Sequence, residues 1–200
     1  MVFNDKMKII FIHIPKTGGT SIESALDCIT KENGYGVVNN KAMQHYNWKD
    51  YKNKYQNKFK NYYKFTVVRN PYDKVLSDYY WLKNVAKIDI DNFQNKNFDQ
   101  YLSYCEEIVK KKLYNKTKYH DHFLPQHKFI YDDNDNLMIN KILRFENFEY
   151  ITKFIKIRYK KDVKCLNKNN NSNKIILNQN QKNKIYEIYN KDFTLLSYPK

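Results

Sequence analysis

Residues 9–23 read Ile-Ile-Phe-Ile-His-Ile-Pro-Lys-Thr-Gly-Gly-Thr-Ser-Ile-Glu, and no other stretch limits the fold of this chain as much. Its opening run is β-branched or aromatic apart from His13, the pattern of a short buried strand. The run stops at Pro15 and passes through a Lys-Thr-Gly-Gly-Thr-Ser turn. Apolar residues return at Ile22, Ala25 and Leu26, the spacing of one helix face. Gly18 and Gly19 allow φ > 0 or a close approach of main chain to ligand. Thr20 or Ser21 is placed to cap the helix, whose free N–H groups and dipole favour an anion. Lys16 adds a mobile positive charge there. Strand, glycine turn and helix start describe a phosphate cradle. It is not the GxxxxGK[ST] loop, because the lysine precedes the glycines. An ordinary strand-to-helix turn needs neither that lysine nor paired glycines.

A second unit repeats the pattern. Residues 62–69, Tyr-Tyr-Lys-Phe-Thr-Val-Val-Arg, are rich in strand formers. They end at Arg69-Asn70-Pro71, and a helix over residues 72–83 follows with Pro71 near its first position. Val75, Tyr79 and Leu82 share one face of it, and Ser77 lies near its first turns. Two strand–helix units separated by a helical segment imply βαβ connections, hence an α/β fold with a central parallel sheet flanked by helices. Ligands in such sheets sit beyond the carboxyl ends of the strands. Lys16 and Arg69 both occur there and are expected to face one crevice.

The remaining chain reads as one domain over residues 1–200. Gly34 and Gly36 mark a loop, and a polar segment over residues 39–49 contains His45-Tyr46-Asn47-Trp48. A short exposed helix is expected within residues 49–60, a polar linker over 87–97, and a helix over 98–113. A histidine-rich patch, His120-Asp121-His122-Phe123-Leu124-Pro125-Gln126-His127, precedes expected strands at 128–131 and 138–145. The Asp-Asp-Asn-Asp-Asn turn between them lacks the glycine and terminal glutamate of a calcium loop and reads as a solvated turn. Helices are expected over 146–159 and 178–189, with an Asn-rich mobile loop at about 167–174.

Lys+Arg 36 against Asp+Glu 21 gives a formal charge of +15, which suits an anionic partner: nucleic acid, an anionic membrane, a sulfated or phosphorylated ligand, or an acidic glycan. A nucleotide-biased genome, which enriches Lys, Asn and Tyr, produces the same excess. Cys28, Cys105 and Cys165 are odd in number and widely spaced, which points to free thiols in a reducing compartment. There is no signal-peptide pattern and no apolar run near the roughly 18 residues that span a bilayer. The expectation is a cytoplasmic protein without a membrane anchor.

With both strand ends identified, the sequence resembles the sulfotransferase superfamily, closest to carbohydrate sulfotransferases such as the heparan 2-O- and 6-O-enzymes. The resemblance rests on residues 11–21, Phe-Ile-His-Ile-Pro-Lys-Thr-Gly-Gly-Thr-Ser, and on residues 67–80, Val-Val-Arg-Asn-Pro-Tyr-Asp-Lys-Val-Leu-Ser-Asp-Tyr-Tyr. Leu124-Pro125-Gln126, Leu143-Arg144-Phe145-Glu146-Asn147 and Tyr189-Asn190-Lys191-Asp192-Phe193 extend it over most of the chain. It implies that Lys16, Thr17, Gly18, Gly19, Thr20 and Ser21 bind the 5′-phosphosulfate of the donor, 3′-phosphoadenosine 5′-phosphosulfate. It also implies that Arg69 and Ser77 bind the donor's 3′-phosphate. The planar fork of an arginine at a strand end suits that ligand.

Sulfuryl transfer needs a base for the acceptor hydroxyl and positive charge at the leaving phosphate. Lys16 fits the second role. His45 is the favoured base: a neutral imidazole suits proton abstraction near pH 7, and His45-Tyr46-Asn47-Trp48 resembles the His-x-x-Trp of 6-O-sulfotransferases. His13 is its rival by proximity, though strand burial argues for a structural role, and Glu23 is an outside candidate. His120, His122 and His127 form no carboxylate-supported metal set in the sequence, and the related enzymes need no metal. The acceptor is expected to be a glycan or small-molecule hydroxyl, with no nucleic acid involved. Two alternatives remain: a nucleotide-dependent kinase, against which the Arg69 strand end argues because a Walker B aspartate belongs there, and a non-catalytic polyanion-binding module.

Overall fold

A computed structural model describes residues 2–28, 37–38, 41–84, 95–116, 119–164 and 175–200. The chain opens with β1 (Phe3–Asn4) and β2 (Ile9–Ile12), then helix α1 (Gly19–Ala25). A small hairpin, β3 (Val37–Val38) with β4 (Lys41–Ala42), leads into a 3₁₀ turn at Met43–His45. Helices α2 (Trp48–Lys54) and α3 (Gln56–Asn61) precede β5 (Tyr63–Val68) and the long α4 (Pro71–Asn84). After α5 (Phe98–Lys110) come a 3₁₀ turn at His120–Phe123 and the short α6 (His127–Ile130). β6 (Lys141–Arg144), a 3₁₀ turn at Phe145–Asn147, α7 (Phe148–Tyr159) and α8 (Gln179–Leu195) complete it.

The main sheet is ordered β1-β2-β5-β6. β2, β5 and β6 are parallel, with Phe11 opposite Phe65 and Val68 opposite Arg144, while β1 adds an antiparallel edge. The sheet is therefore mixed, around the parallel core expected. Helices cover both faces because strand residues alternate sides. Ile9, Phe11, Phe65, Val67 and Leu143 pack with Ile22 and Leu26 at α1 and with Ile151 and Ile155 of α7. Ile10, Ile12 and Val68 face the other way, toward α4, α5 and α8. Thr66 is fully buried in β5 and donates its hydroxyl to the Ile12 carbonyl at 2.6 Å, which satisfies a polar group that burial would otherwise penalise.

Asparagine, abundant in this chain, caps four helices among the described residues: Asn147 at α7, accepting the Tyr150 N–H at 3.1 Å, and three more. Asn47, Asn97 and Asn178 cap α2, α5 and α8, each in a capping box with Asp50, Gln100 or Gln181.

Several expectations change. Residues 128–131 are not a strand: His127–Ile130 is a helical turn, and only Tyr131 makes an isolated bridge, to Leu137 across the Asp132–Asn136 turn. Strand-forming side chains there are overridden by Asp192, which accepts the main-chain N–H groups of Gln126 and His127 and so starts a helix. The segment at residues 49–60 is two helices, broken at Tyr55. The last helix runs to Leu195, with non-helical dihedrals at Tyr189. The Gly34/Gly36 loop, most of the 87–97 linker and the Asn-rich stretch lie outside the described residues. Among those described, no helix is long and apolar enough to cross a membrane, and Cys28 and Cys105 are buried free thiols.

Phe65 is fully buried between sheet and α7. Phe65→Ala is expected to cost about 3–5 kcal/mol, read as a lowered urea midpoint with an unchanged slope.

Candidate active site

The parallel order of β2, β5 and β6 brings their carboxyl ends to one end of the sheet, and the loops leaving them meet there. From β2 the chain enters the turn that contains Lys16, Gly18 and Gly19. Lys16 (φ 66) and Gly18 (φ 81) both take left-handed dihedrals. Gly18 is the residue before α1, and the helix starts at Gly19. The expectation that Thr20 or Ser21 caps the helix fails: both lie inside the first turn because the glycine reverses the chain earlier. The two glycines are set by close packing. A Cβ on Gly18 would stand 2.8 Å from the Phe145 ring, and one on Gly19 would stand 2.1 Å from the His13 imidazole. The Thr17 side chain is buried and donates to the Ile14 carbonyl at 2.8 Å, bracing the turn from within.

From β5 comes Arg69. Its main chain is clasped by the Gln126 side chain: Arg69 N–H donates to Gln126 Oε1 at 2.9 Å, and Gln126 Nε2 donates to the Arg69 carbonyl at 2.7 Å. The guanidinium lies 4.5 Å over the Phe145 ring and donates from Nη1 to the Lys16 carbonyl at 3.2 Å. Its Nε is buried and has no partner. Beyond Arg69, the Asn70 N–H donates to Glu146 at 2.5 Å, and Glu146 also accepts the Tyr198 hydroxyl at 3.0 Å. Ser77 is half-buried on α4 and makes no hydrogen bond among the described residues.

A row of buried imidazoles stands beside these cations. His13 pairs through Nδ1 with Glu23, His45 with Asp121 at 2.9 Å and His122 with Asp78 at 2.8 Å. The His13 and His45 rings are 5.1 Å apart, and so are those of His45 and His122, both pairs edge to face. An Nδ1–H donated to a carboxylate leaves Nε2 with the lone pair. For His45 a second contact agrees, since Gln44 Nε2, which can only donate, lies 3.3 Å from His45 Nε2. Asp78 also takes Lys74 Nζ at 2.7 Å, and His122 stacks on Trp81 at 4.7 Å. Lys16 Nζ lies 5.0 Å from the centre of the same indole and forms no ion pair among the described residues.

Burial sets the charge states. It pushes Lys16 down to about 8, against the attraction of Asp78 and with help from Lys74 and Arg69. It pushes His45 down to about 4, although Asp121 pulls the other way. Burial raises Asp121, but the His45 hydrogen bond and the neighbouring imidazoles outweigh it and hold the carboxyl down at about 2. Near pH 7 the pair is a neutral imidazole on an ionised carboxylate, the state a general base requires.

His45, from the polar 39–49 segment, is in a 3₁₀ turn and only 4% exposed. His13, set aside as structural, is its direct neighbour, and Glu23 serves His13. The histidine-rich patch divides. His122 joins the row, while His120 bonds Tyr104 and the Leu113 carbonyl, and His127 bonds Asp192. Sequence reasoning missed Asp121, Asp78, Lys74, Trp81 and Gln126. The His-Asp-His triplet at residues 120–122 was a usable signal, because alternate residues diverge to different partners.

Residues 1–199 match a family model described as the sulfotransferase family. No curated protein matches the chain.

Gly19→Ala is expected to drive the new methyl into His13 and break its alignment with Glu23. A lowered melting temperature should result, together with a displaced His13 resonance in the imidazole NMR spectrum.

Proposed function

We infer that this chain, which belongs to the sulfotransferase family, takes its sulfuryl group from 3′-phosphoadenosine 5′-phosphosulfate and passes it to a carbohydrate hydroxyl. The observation that carries the donor assignment is Arg69: a mostly buried guanidinium with an unpartnered Nε, no ion pair among the described residues, and burial lowering its pKa. A buried cation left so is costly unless an anion completes it. Lys16, in the adjoining turn, is in the same condition. Two phosphate-bearing ends on one donor fit two such cations.

In this reading Arg69 and Ser77 hold the 3′-phosphate. Main-chain groups and side chains of residues 16–21 hold the 5′-phosphosulfate end. The donor supplies an activated sulfuryl group on a phosphate leaving group. Lys16 balances the charge that develops on that phosphate, working in a buried setting where such charge is worth more than in water. His45 takes the acceptor's hydroxyl proton on Nε2, and Asp121 holds the ring by Nδ1 and stabilises the imidazolium that forms. Gln44 is the group that an incoming hydroxyl would displace. The carbohydrate assignment rests on the resemblance of the 45–48 segment and on the +15 charge, which favours an acidic glycan. The buried unpaired thiols support a reducing compartment such as the cytoplasm.

Adenosine 3′,5′-bisphosphate, the desulfated product, at 100 times its dissociation constant should stabilise the native state by about 2.7 kcal/mol in a thermal-shift assay. AMP should do much less. Arg69→Ala should weaken the bisphosphate by about 10- to 100-fold, the weight of a charged hydrogen bond. A response to ATP–Mg²⁺ alone would instead indicate a kinase, and equal affinity in the variant would remove Arg69 from the site.

His45→Ala should lower turnover by about 10²–10⁴-fold with bisphosphate affinity retained. Because free Lys16 loses its proton near pH 8, kcat/KM should fall as pH rises through that value. Donor phosphates favour the charged lysine, so the fall in kcat should come at higher pH. A kcat/KM that stays flat to pH 9.5 would take the ammonium out of the mechanism.

A further inference from the structure

We propose that His45, Asp121 and His122 form an inhibitory site for a divalent transition metal of the zinc type, which switches off the base by changing its tautomer. One potential ligand atom from each of the three lies within 4.8 Å of the other two. All three are buried, with Asp121 at 1% exposure. A second observation points independently to a ligand: Asp121 Oδ1 is buried and without any partner, although Oδ2 serves both His45 Nδ1 and the Ala42 N–H. An orphaned carboxylate oxygen beside two imidazoles is a donor set of nitrogen and oxygen that suits zinc or cobalt.

The supporting contacts fit as well. Asp78 fixes His122 through Nδ1, in the carboxylate–histidine arrangement that orients metal ligands, and leaves Nε2 for an ion. The proton that His45 Nδ1 donates to Asp121 Oδ2 moves through solvent to Nε2 as the ion takes its place on Nδ1. Donor atoms around a tetrahedral ion stand about 3.3 Å apart, so the cluster has to draw in by about 1.5 Å at most. The 5.1 Å ring separation of His45 and His122 already equals the spacing of about 5 Å that two imidazoles on one such ion adopt.

The inhibitory consequence follows from valence. Metal on Nδ1 forces the neutral imidazole to carry its proton on Nε2, the nitrogen that must be bare to receive the acceptor's proton. This consequence rests on His45 being the base; the binding itself does not.

The test uses the full chain, stripped with chelator and titrated with Co²⁺ and then Zn²⁺. One Co²⁺ per chain with a visible ligand-field band is expected, displaced by Zn²⁺, with turnover lost in proportion to occupancy and restored by chelator. Asp121→Asn and His122→Gln should each weaken binding by at least about 10-fold. His120→Gln, outside the cluster, should bind as before. Folding of each variant is checked by circular dichroism, and the two cluster variants back each other up. No binding at millimolar Co²⁺, or binding indifferent to both cluster variants, overturns the site. If it fails in this way while His45→Ala is still inactive, the base assignment stands and only the metal site falls. Stoichiometric binding with turnover untouched overturns the inhibitory role, and a fully active His45→Ala would then trace that failure to the base assignment.

Discussion

Arg69 is fastened on three sides by the protein alone. Gln126 holds its main chain at both N–H and carbonyl, Phe145 lies under its guanidinium, and the Lys16 carbonyl accepts from Nη1. These contacts tie the ends of β2, β5 and β6 to the segment before α6, which is in turn held by Asp192. Remove them and the sheet would remain, but its carboxyl ends would have no common geometry. These contacts use the main chain, Nη1 and one face of the guanidinium, and Nε is left without a partner.

The electrostatics follow from that arrangement. Lys16 and Lys74 share one buried carboxylate, Asp78, so positive charge exceeds negative there, while Arg69 also feels Asp73 and Glu146. Burial makes the excess costly, and lowers Lys16 toward neutrality as a result. Sites poised in this way are where perturbed titration and function coincide. The imidazole row shows another solution: each ring has its own carboxylate, and burial keeps His45, the middle ring, neutral near pH 7.

The strand–turn–helix stretch through Gly18 and Gly19 and the Arg69 strand end were legible in the sequence because local patterning writes them: an apolar run, a turn with glycines, a helix face. The order in which the two units pair, and the meeting of Lys16 with Arg69, followed from parallel-sheet geometry. Partners across long separations were not legible. Asp121 reaches His45 over 76 residues and Gln126 reaches Arg69 over 57, and no periodicity records such contacts. Residues 128–131 misled for a related reason. Their strand propensity is real, but a carboxylate from α8 supplies N–H acceptors that only a helical turn can use. The role of Gly19 was also hidden, since its constraint is the His13 ring rather than a turn type.

The clamp on Gln126 has a consequence for how the protein comes into being. Asp192 lies in the last described helix, and Arg144 likewise donates to the carbonyls of Leu196 and Ser197. During synthesis the sheet and the glycine turn emerge from the ribosome well before these residues do. The nascent chain therefore has a core that can collapse early, while the geometry around Arg69 waits for contacts of long sequence separation, the slowest kind to form. The finished geometry around Arg69 arrives as a late step, separate in time from compaction.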